Sequence, residues 1–405
     1  MTVAVGGTAA AQTYTMTTTD FWYKTFPIVV GSVTVNTPGF DGSASYRQEQ
    51  DPGLAEVRSS FSEGTQALTV RPLTAATANL MVIQLTNPNS TPISGVSLVT
   101  KAGSIGTNYS LPITAGVDTT NGTAWATRTT DVSGNPWIAR DALATRVVGA
   151  ASTVAATSAS SATTTLTVGG NATVTVVVAV GGGHNSTSFL SDARTLANSQ
   201  TTSTVSTAIT NHRTWWQNFW TKGAAIDLGG GPVEHYWYTS LYVLASANRT
   251  GQSLPGMQNI QPEDHNAWDG GWWANYDLQN TYLGVYSAGH SELSDPYDAA
   301  LAQYLPTAYV HAGAAEGSKV ALAMGIIGPG GQDRITTNLG MNGNAAWLAM
   351  NMVNHWNTTR NASWANSSAY PWMLAAAHYW DQNLVLDATG TYNIKNSART
   401  KAQAM

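Results

Sequence analysis

The chain has 405 residues, with 18 Lys and Arg against 23 Asp and Glu, a net charge of −5 and no cysteine. The lack of any basic run excludes nucleic acid and anionic membrane as partners, and the lack of thiols excludes disulfides, thiolate metal sites and thiol catalysis. Charged residues make up only 10%, against roughly 25% in typical soluble proteins, and Thr, Ser, Asn, Gly and Ala take their place. This neutral, hydroxyl-rich composition fits an extracellular or periplasmic protein. The first residues, Met1 to Gly7, lack the basic and then apolar pattern of an intact signal peptide. No stretch is apolar for long enough to span a bilayer.

Up to about residue 185 the pattern predicts strands. Leu68–Pro72, Leu80–Leu85, Gly95–Val99 and Thr173–Val180 are β-branched or apolar runs bounded by Gly, Pro, Asn and Ser. The segment from Thr153 to Thr165 is rich in Ser and Thr but leads into Leu166–Val168, so it reads as strand and loop rather than linker. Gly169-Gly170-Asn171 between that run and the one from Thr173 predicts a hairpin. Many strands with short turns and no interleaved helices predict a β-sandwich over residues 1–185.

The period then changes. Val205, Ile209, His212, Trp216 and Phe219 recur at helical spacing, which predicts a helix over 202–222 within a helical linker, 186–230. Asp227 to Pro232 breaks it. Trp237, Leu241, Leu244 and Ala245 begin an all-α region, 231–405, with helices expected near 278–289, 295–312, 343–357 and 366–385. Ser318–Ile327 is a weaker helical candidate. Gly325–Gln332 lacks the Lys-Ser/Thr of a phosphate-binding loop and reads as a plain glycine-rich loop.

The eight histidines, His184, His212, His235, His265, His290, His311, His355 and His378, are scattered without zinc-site spacing, so neither metal nor cofactor is expected. Attention falls on Trp268 to Gln279, which packs aromatics, two glycines, amides and carboxylates into twelve residues. Exposed Trp rings suit the C–H faces of a sugar, while Asn, Gln and Asp can read its hydroxyls. Asn275 and Asp277 are placed at the entry to a helix, facing a common cavity walled by Trp268, Trp272 or Trp273. The plainer reading is an aromatic core corner with a polar helix cap. Glu263, Asp264, Asp269 and Glu292 are the further carboxylates among these aromatics. Paired carboxylates with aromatic walls are the equipment of glycoside hydrolysis, although each alone reads as a surface or capping group.

The stretches Leu241–Gly251, Leu254–Asn259, Trp268–Gln279 and Tyr282–Leu293 resemble glycoside hydrolase family 95, the α-L-fucosidase and α-L-galactosidase type. The resemblance implies an N-terminal β-sandwich, a helical linker and an (α/α)6 toroid. It also implies inverting, exo-acting hydrolysis of α-L-fucosyl-like or related terminal sugars on a glycan. In that family two Asn of an Asn-X-Asn-X-Gln motif hold the attacking water, an Asp further along activates them, and a Glu protonates the leaving oxygen. Asn275 matches the first Asn and Gln279 the Gln, whereas Asp277 replaces the second Asn. A carboxylate can take up a proton where an amide cannot, so Asp277 either serves as the base or marks a reworked water site. The resemblance assigns Asn275 and Asp277 to catalysis, and Trp268, Trp272, Trp273, Gln279, His290 and Glu292 to the substrate. Tyr392–Ala398 resembles the approach to the acid region, and the family's acid and distal Asp are expected beyond Met405, with the toroid incomplete. The competing expectations are a carbohydrate-binding or inactive relative without the acid, and a structural protein with no sugar site.

Overall fold

The computed structural model describes residues 1–42, 44–106, 108–311, 325–335 and 343–394. Strands come first: β1 (Thr2–Gly7), β2 (Ala11–Thr17), β3 (Trp22–Tyr23), β4 (Phe26–Pro27), β5 (Gly31–Asn36), β6 (Ser45–Asp51), β7 (Glu56–Glu63), β8 (Gln66–Thr74), β9 (Leu80–Asn87), β10 (Ile93–Ala102), β11 (Ile113–Asp118), β12 (Thr123–Thr129), β13 (Ala139–Val148), β14 (Ser152–Ser158), β15 (Ser161–Val168) and β16 (Ala172–His184). They build a six-stranded sheet, β1-β2-β5-β10-β15-β14, and an eight-stranded sheet, β11-β12-β13-β16-β9-β8-β7-β6. Each pairing is antiparallel. Alternate residues of the two sheets, among them Tyr14, Val33, Leu98 and Leu166 against Leu68, Ile83, Leu143 and Val178, share one core.

The eight-stranded sheet is buried on its other face too. There Val82, Ala142, Ala144, Val177 and Ala179 meet helix α1 (Phe189–Asn198) and Val205 of α2 (Thr202–Lys222). This is why β16 reads Val-Val-Val-Ala-Val without alternation: a strand covered on both faces has no polar side to show. Thr201 opens α2 with a capping box, its hydroxyl accepting from the Thr204 amide while the Thr204 hydroxyl accepts from the Thr201 amide.

The expected hairpin at Gly169–Asn171 is corrected by the sheet order. β15 belongs to the six-stranded sheet and β16 to the eight-stranded one, so the turn carries the chain across the core. Asn87 holds the crossing by donating to the carbonyls of Thr91 and Gly169, and the Asn171 amide donates to Asn89. A Cβ at Gly170 would stand 1.9 Å from the Ser90 carbonyl oxygen, which explains the glycine.

Helices follow: α3 (Pro232–Ala247), the short α4 (Asp277–Thr281) and α5 (Leu283–Ser287), α6 (Asp295–His311), α7 (Asn344–Thr359), the one-turn α8 (Ala362–Trp364) and α9 (Tyr370–Asn383). The helix expected over 278–289 is thus split at Tyr282. Gly325–Gln332 is not a plain loop, because Gly325–Ile327 is the central strand of a small sheet, paired with Trp272–Trp273 on one side and with Asp333–Ile335 on the other. Most of the helical candidate Ser318–Ile327 lies outside the described residues, as does everything after Ile394. No described helix is long and apolar enough to cross a membrane.

Candidate active site

The loop between α3 and α4 carries Trp268, Trp272, Trp273 and Asn275, with Asp277 and Gln279 on α4 itself, and buried polar contacts fix the loop to the sheets. Asp264, fully buried, accepts from both terminal nitrogens of Arg128 on β12 at 2.8 and 2.5 Å, and from the amides of Val29 and Tyr109. A bidentate pair with every oxygen engaged is an anchor and leaves no lone pair for a substrate. Asp264 is therefore structural. Trp272 is likewise core: its ring meets Trp22 edge-on at 4.9 Å and its Nε1 donates to the Pro255 carbonyl. Two-residue pairing with Ile326 and Ile327 turns Trp272 inward and leaves Trp273 partly exposed. A Cβ at Gly271 would come within 2.4 Å of Ile326 Cγ2, so only glycine lets these backbones approach.

Trp268 and Asp269 both hold positive φ, 55° and 54°, a conformation that costs a non-glycine residue about 1–3 kcal/mol. The turn is held by the Asp269 amide donating to Asn266, Gln258 Nε2 donating to Ala267, and Trp273 Nε1 donating to the Trp268 carbonyl. Its product is a Trp268 ring 62% exposed, edge-on to Trp273 at 5.4 Å. Glu263 is exposed and Asp269 half-buried at this same loop.

Asn275 is buried two residues before α4, and Asp277 is the first residue of that helix. The cap reading predicts that the Asp277 carboxylate accepts a hydrogen bond from a backbone amide of the helix. Instead α4 has no side-chain cap, and among the described residues no hydrogen bond or ion pair engages this half-buried carboxylate. Gln279 is fully buried, and neither atom of its amide has a partner. Its carbonyl accepts from Asn351 Nδ2 on α7 at 2.8 Å. Asn344, 1% exposed, also leaves both amide atoms unmet. Asn344, Asn351 and His355 follow one face of α7 at spacings of seven and four residues. Those spacings, on a helix whose Leu348 and Met352 are core, were the signal that sequence reading passed over.

At the end of that stripe His355 Nδ1 meets Asp298 Oδ2 at 2.8 Å, with Trp364 stacked on the imidazole at 3.9 Å. Burial raises the Asp298 carboxyl above its ordinary range, against the pull of His355. Asp295, Asp298 and His355 offer ligand atoms within 4.8 Å of one another, a spacing a cation could bridge. Yet Asp295 Oδ2 already accepts from Thr250, and His355 is spent on Asp298, which fits a structural pair better.

His290 and Glu292 pack against the end of α2. His290 is 1% exposed, stacks on Phe219 at 3.9 Å, and pairs through Nδ1 with Glu292 at 3.0 Å. Glu292 also pairs with Lys222 at 2.8 Å, so the two residues clasp the end of α2. Burial alone would raise the Glu292 carboxyl, but His290 and Lys222 outweigh it and hold it at about 2. A carboxyl ionised at neutral pH cannot serve as a general acid. Cavities of about 450 and 360 Å³ exist, but neither is lined by the predicted site residues.

Residues 229–401 match the glycosyl hydrolase family 95 catalytic domain. The chain is 26% identical over 152 residues to a probable alpha-fucosidase A from Aspergillus niger, a match covering 36% of this chain and 19% of that protein. In fold it is similar to a kojibiose phosphorylase from the human microbiome, with a TM-score of 0.63 at 9% identity over 96% of this chain and 55% of the other. A bacterial glucoamylase complexed with acarbose matches with a TM-score of 0.48 at 10% identity, over 92% and 58% of the two chains. The chain thus spans a fifth to little more than half of these relatives. In its helical half the chain resembles the family 95 catalytic domain.

Proposed function

We propose that this chain is built for inverting, exo-acting hydrolysis of α-L-fucosyl-like or related terminal sugars on a glycan, in an extracellular or periplasmic protein. On this reading residues 1–185 are a sandwich domain, 186–230 a linker and 231–405 part of an (α/α)6 toroid. The observation that carries it is the half-buried Asp277 carboxylate, unpaired among the described residues, two residues before Gln279, whose buried amide has no described partner either. Buried amides without partners cost about 1–3 kcal/mol each, and a sugar hydroxyl or held water would meet that need. Asp277 would take a proton from the attacking water as its oxygen closes on the anomeric carbon, with Asn275 and Gln279 orienting it. Trp268 and Trp273 would stack on the sugar face. A carboxylic acid on the opposite face, roughly 6.5–9.5 Å from Asp277, would protonate the leaving oxygen. Asp264 and Glu292 are committed elsewhere, so neither fills that role.

The test is a screen of aryl α-L-fucosides and α-L-galactosides with wild-type protein and Asp277→Asn. Turnover by the wild type, lost in Asp277→Asn with sugar binding kept, supports the proposal. Binding without turnover in the wild type favours a carbohydrate-binding relative. Neither binding nor turnover overturns the sugar site.

A further inference from the structure

The larger cavity, about 450 Å³, lies where the eight-stranded sheet meets α2 and α3. The turn between β8 and β9, with Thr77 and Asn79, forms one rim, while Tyr242 and Ser246 of α3 and Trp216 of α2 form the opposite wall. Its volume falls in the roughly 300–1,000 Å³ range of small-molecule sites. Arg249, two residues after α3, lines it as well.

Arg249 is the unusual member. Arg71, Arg128, Arg140, Arg194 and Arg213 each pair with a carboxylate. Arg249 is mostly buried, yet no described carboxylate pairs with it. Its guanidinium lies 3.6 Å from the centre of the Trp215 ring, stacked on that ring. Asp20 accepts from the Ser253 hydroxyl and Asp295 from the Thr250 hydroxyl, and neither is ion-paired with Arg249 among the described residues. Burial, with no acid to oppose it, lowers Arg249 to about 10. The residue before it is firmly anchored. The neighbouring Asn248 donates to the Leu244 carbonyl and to Asn259, and accepts from the Tyr282 hydroxyl. A desolvated cation fixed against an aromatic ring and lacking an anion is costly unless an anion arrives.

We infer that this cavity is a second binding site, separate from the Asp277 site, for a small acidic sugar whose carboxylate or sulfate pairs with Arg249. The planar guanidinium offers its free edge to an oxyanion in bidentate fashion. Half-buried Tyr242 supplies apolar surface for a sugar ring, and the exposed Thr77 and Asn79 supply a hydroxyl and an amide N–H, the Asn79 Oδ1 already accepting from the Met1 ammonium.

The experiment is calorimetric titration of the purified protein with D-galacturonate, D-galactose and sodium sulfate. It is repeated on Arg249→Met and on Thr77→Trp, which narrows the exposed rim without touching the cation. The expected result is that galacturonate binds, that sulfate binds at least tenfold more weakly, and that galactose does not compete. Both variants should weaken galacturonate at least tenfold, while Asp277→Asn leaves it unchanged. Should Arg249→Met fail to fold, Thr77→Trp carries the comparison. Galacturonate binding that survives both folded variants, sulfate binding as tightly as galacturonate, or no binding of galacturonate would each overturn the inference.

Discussion

The seam between sheets and helices and the layer between α4 and α7 are both buried and polar, but they treat their polar groups in opposite ways. At the seam, Asp264 receives four donors, Glu56 binds both Arg71 and Arg213, and Trp220 Nε1 and His212 close on the carbonyls of Pro52 and Leu54. Between α4 and α7, Gln279 and Asn344 have no partner for either amide atom among the described residues. A satisfied buried network fixes one arrangement. An unsatisfied one lowers stability and is kept where a ligand completes it. The comparison therefore separates carboxylates that look alike in sequence: Asp264 and Glu292 are tied to described partners, and the Asp277 carboxylate is tied to none among the described residues.

The largest effect should come from breaking the seam. Asp264→Ala leaves Arg128 buried without its anion and should cost about 3–5 kcal/mol, read as a fall in the urea midpoint. Asp277→Asn should leave that midpoint nearly unchanged and lower any glycosidase turnover by roughly 10²–10⁴-fold, the usual worth of a general base. A midpoint shift as large as that of Asp264→Ala would erase the distinction between the two regions.

Much of this was legible in the sequence, and what was not has physical causes. The change of period near residue 185 marks the passage from strands to helices because burial on one face imposes a repeat of 2 or 3.6. The hairpin at Gly169–Asn171 was misread because turn chemistry fixes a bend and says nothing about which sheet receives the next strand. Trp272, His290 and Glu292 sit among aromatics and near Asp277 in the chain, but proximity in sequence does not decide which way a side chain faces. Trp272 turned into the core, and the other two turned to α2. Asn344 and Asn351 were overlooked because an Asn in a helix is ordinary until its face is known to be buried.

A sharper test lies within the sandwich. Asp141 is fully buried. Burial pushes its carboxyl up to about 7, against the Thr18 hydroxyl and the Gly183 amide that donate to it. A carboxyl raised on folding favours the folded state while protonated in both states. Its contribution is therefore full below the unfolded value of roughly 4 and is lost as pH rises towards 7. The slope of urea stability against pH over that window should flatten in Asp141→Asn, and Glu292, which titrates below it, should not interfere. An unchanged slope would show that Asp141 is satisfied as an anion, as Asp264 is.

The smallest effect is also the most discriminating. Gln279→Met removes two unmet polar atoms and keeps the volume, so stability should be unchanged or higher by up to about 1 kcal/mol, read by thermal unfolding. The same change should abolish stabilisation by added L-fucose. If Gln279→Met instead destabilised the protein by several kcal/mol, the amide would be a structural group.

The most direct measurement is a crystal structure of Asp277→Asn soaked with an aryl α-L-fucoside. The account predicts a sugar ring against Trp268 and Trp273, with a hydroxyl or held water within hydrogen-bond reach of residue 277 and of the Gln279 amide. A sugar bound only elsewhere, with Gln279 still buried and partnerless, would contradict it.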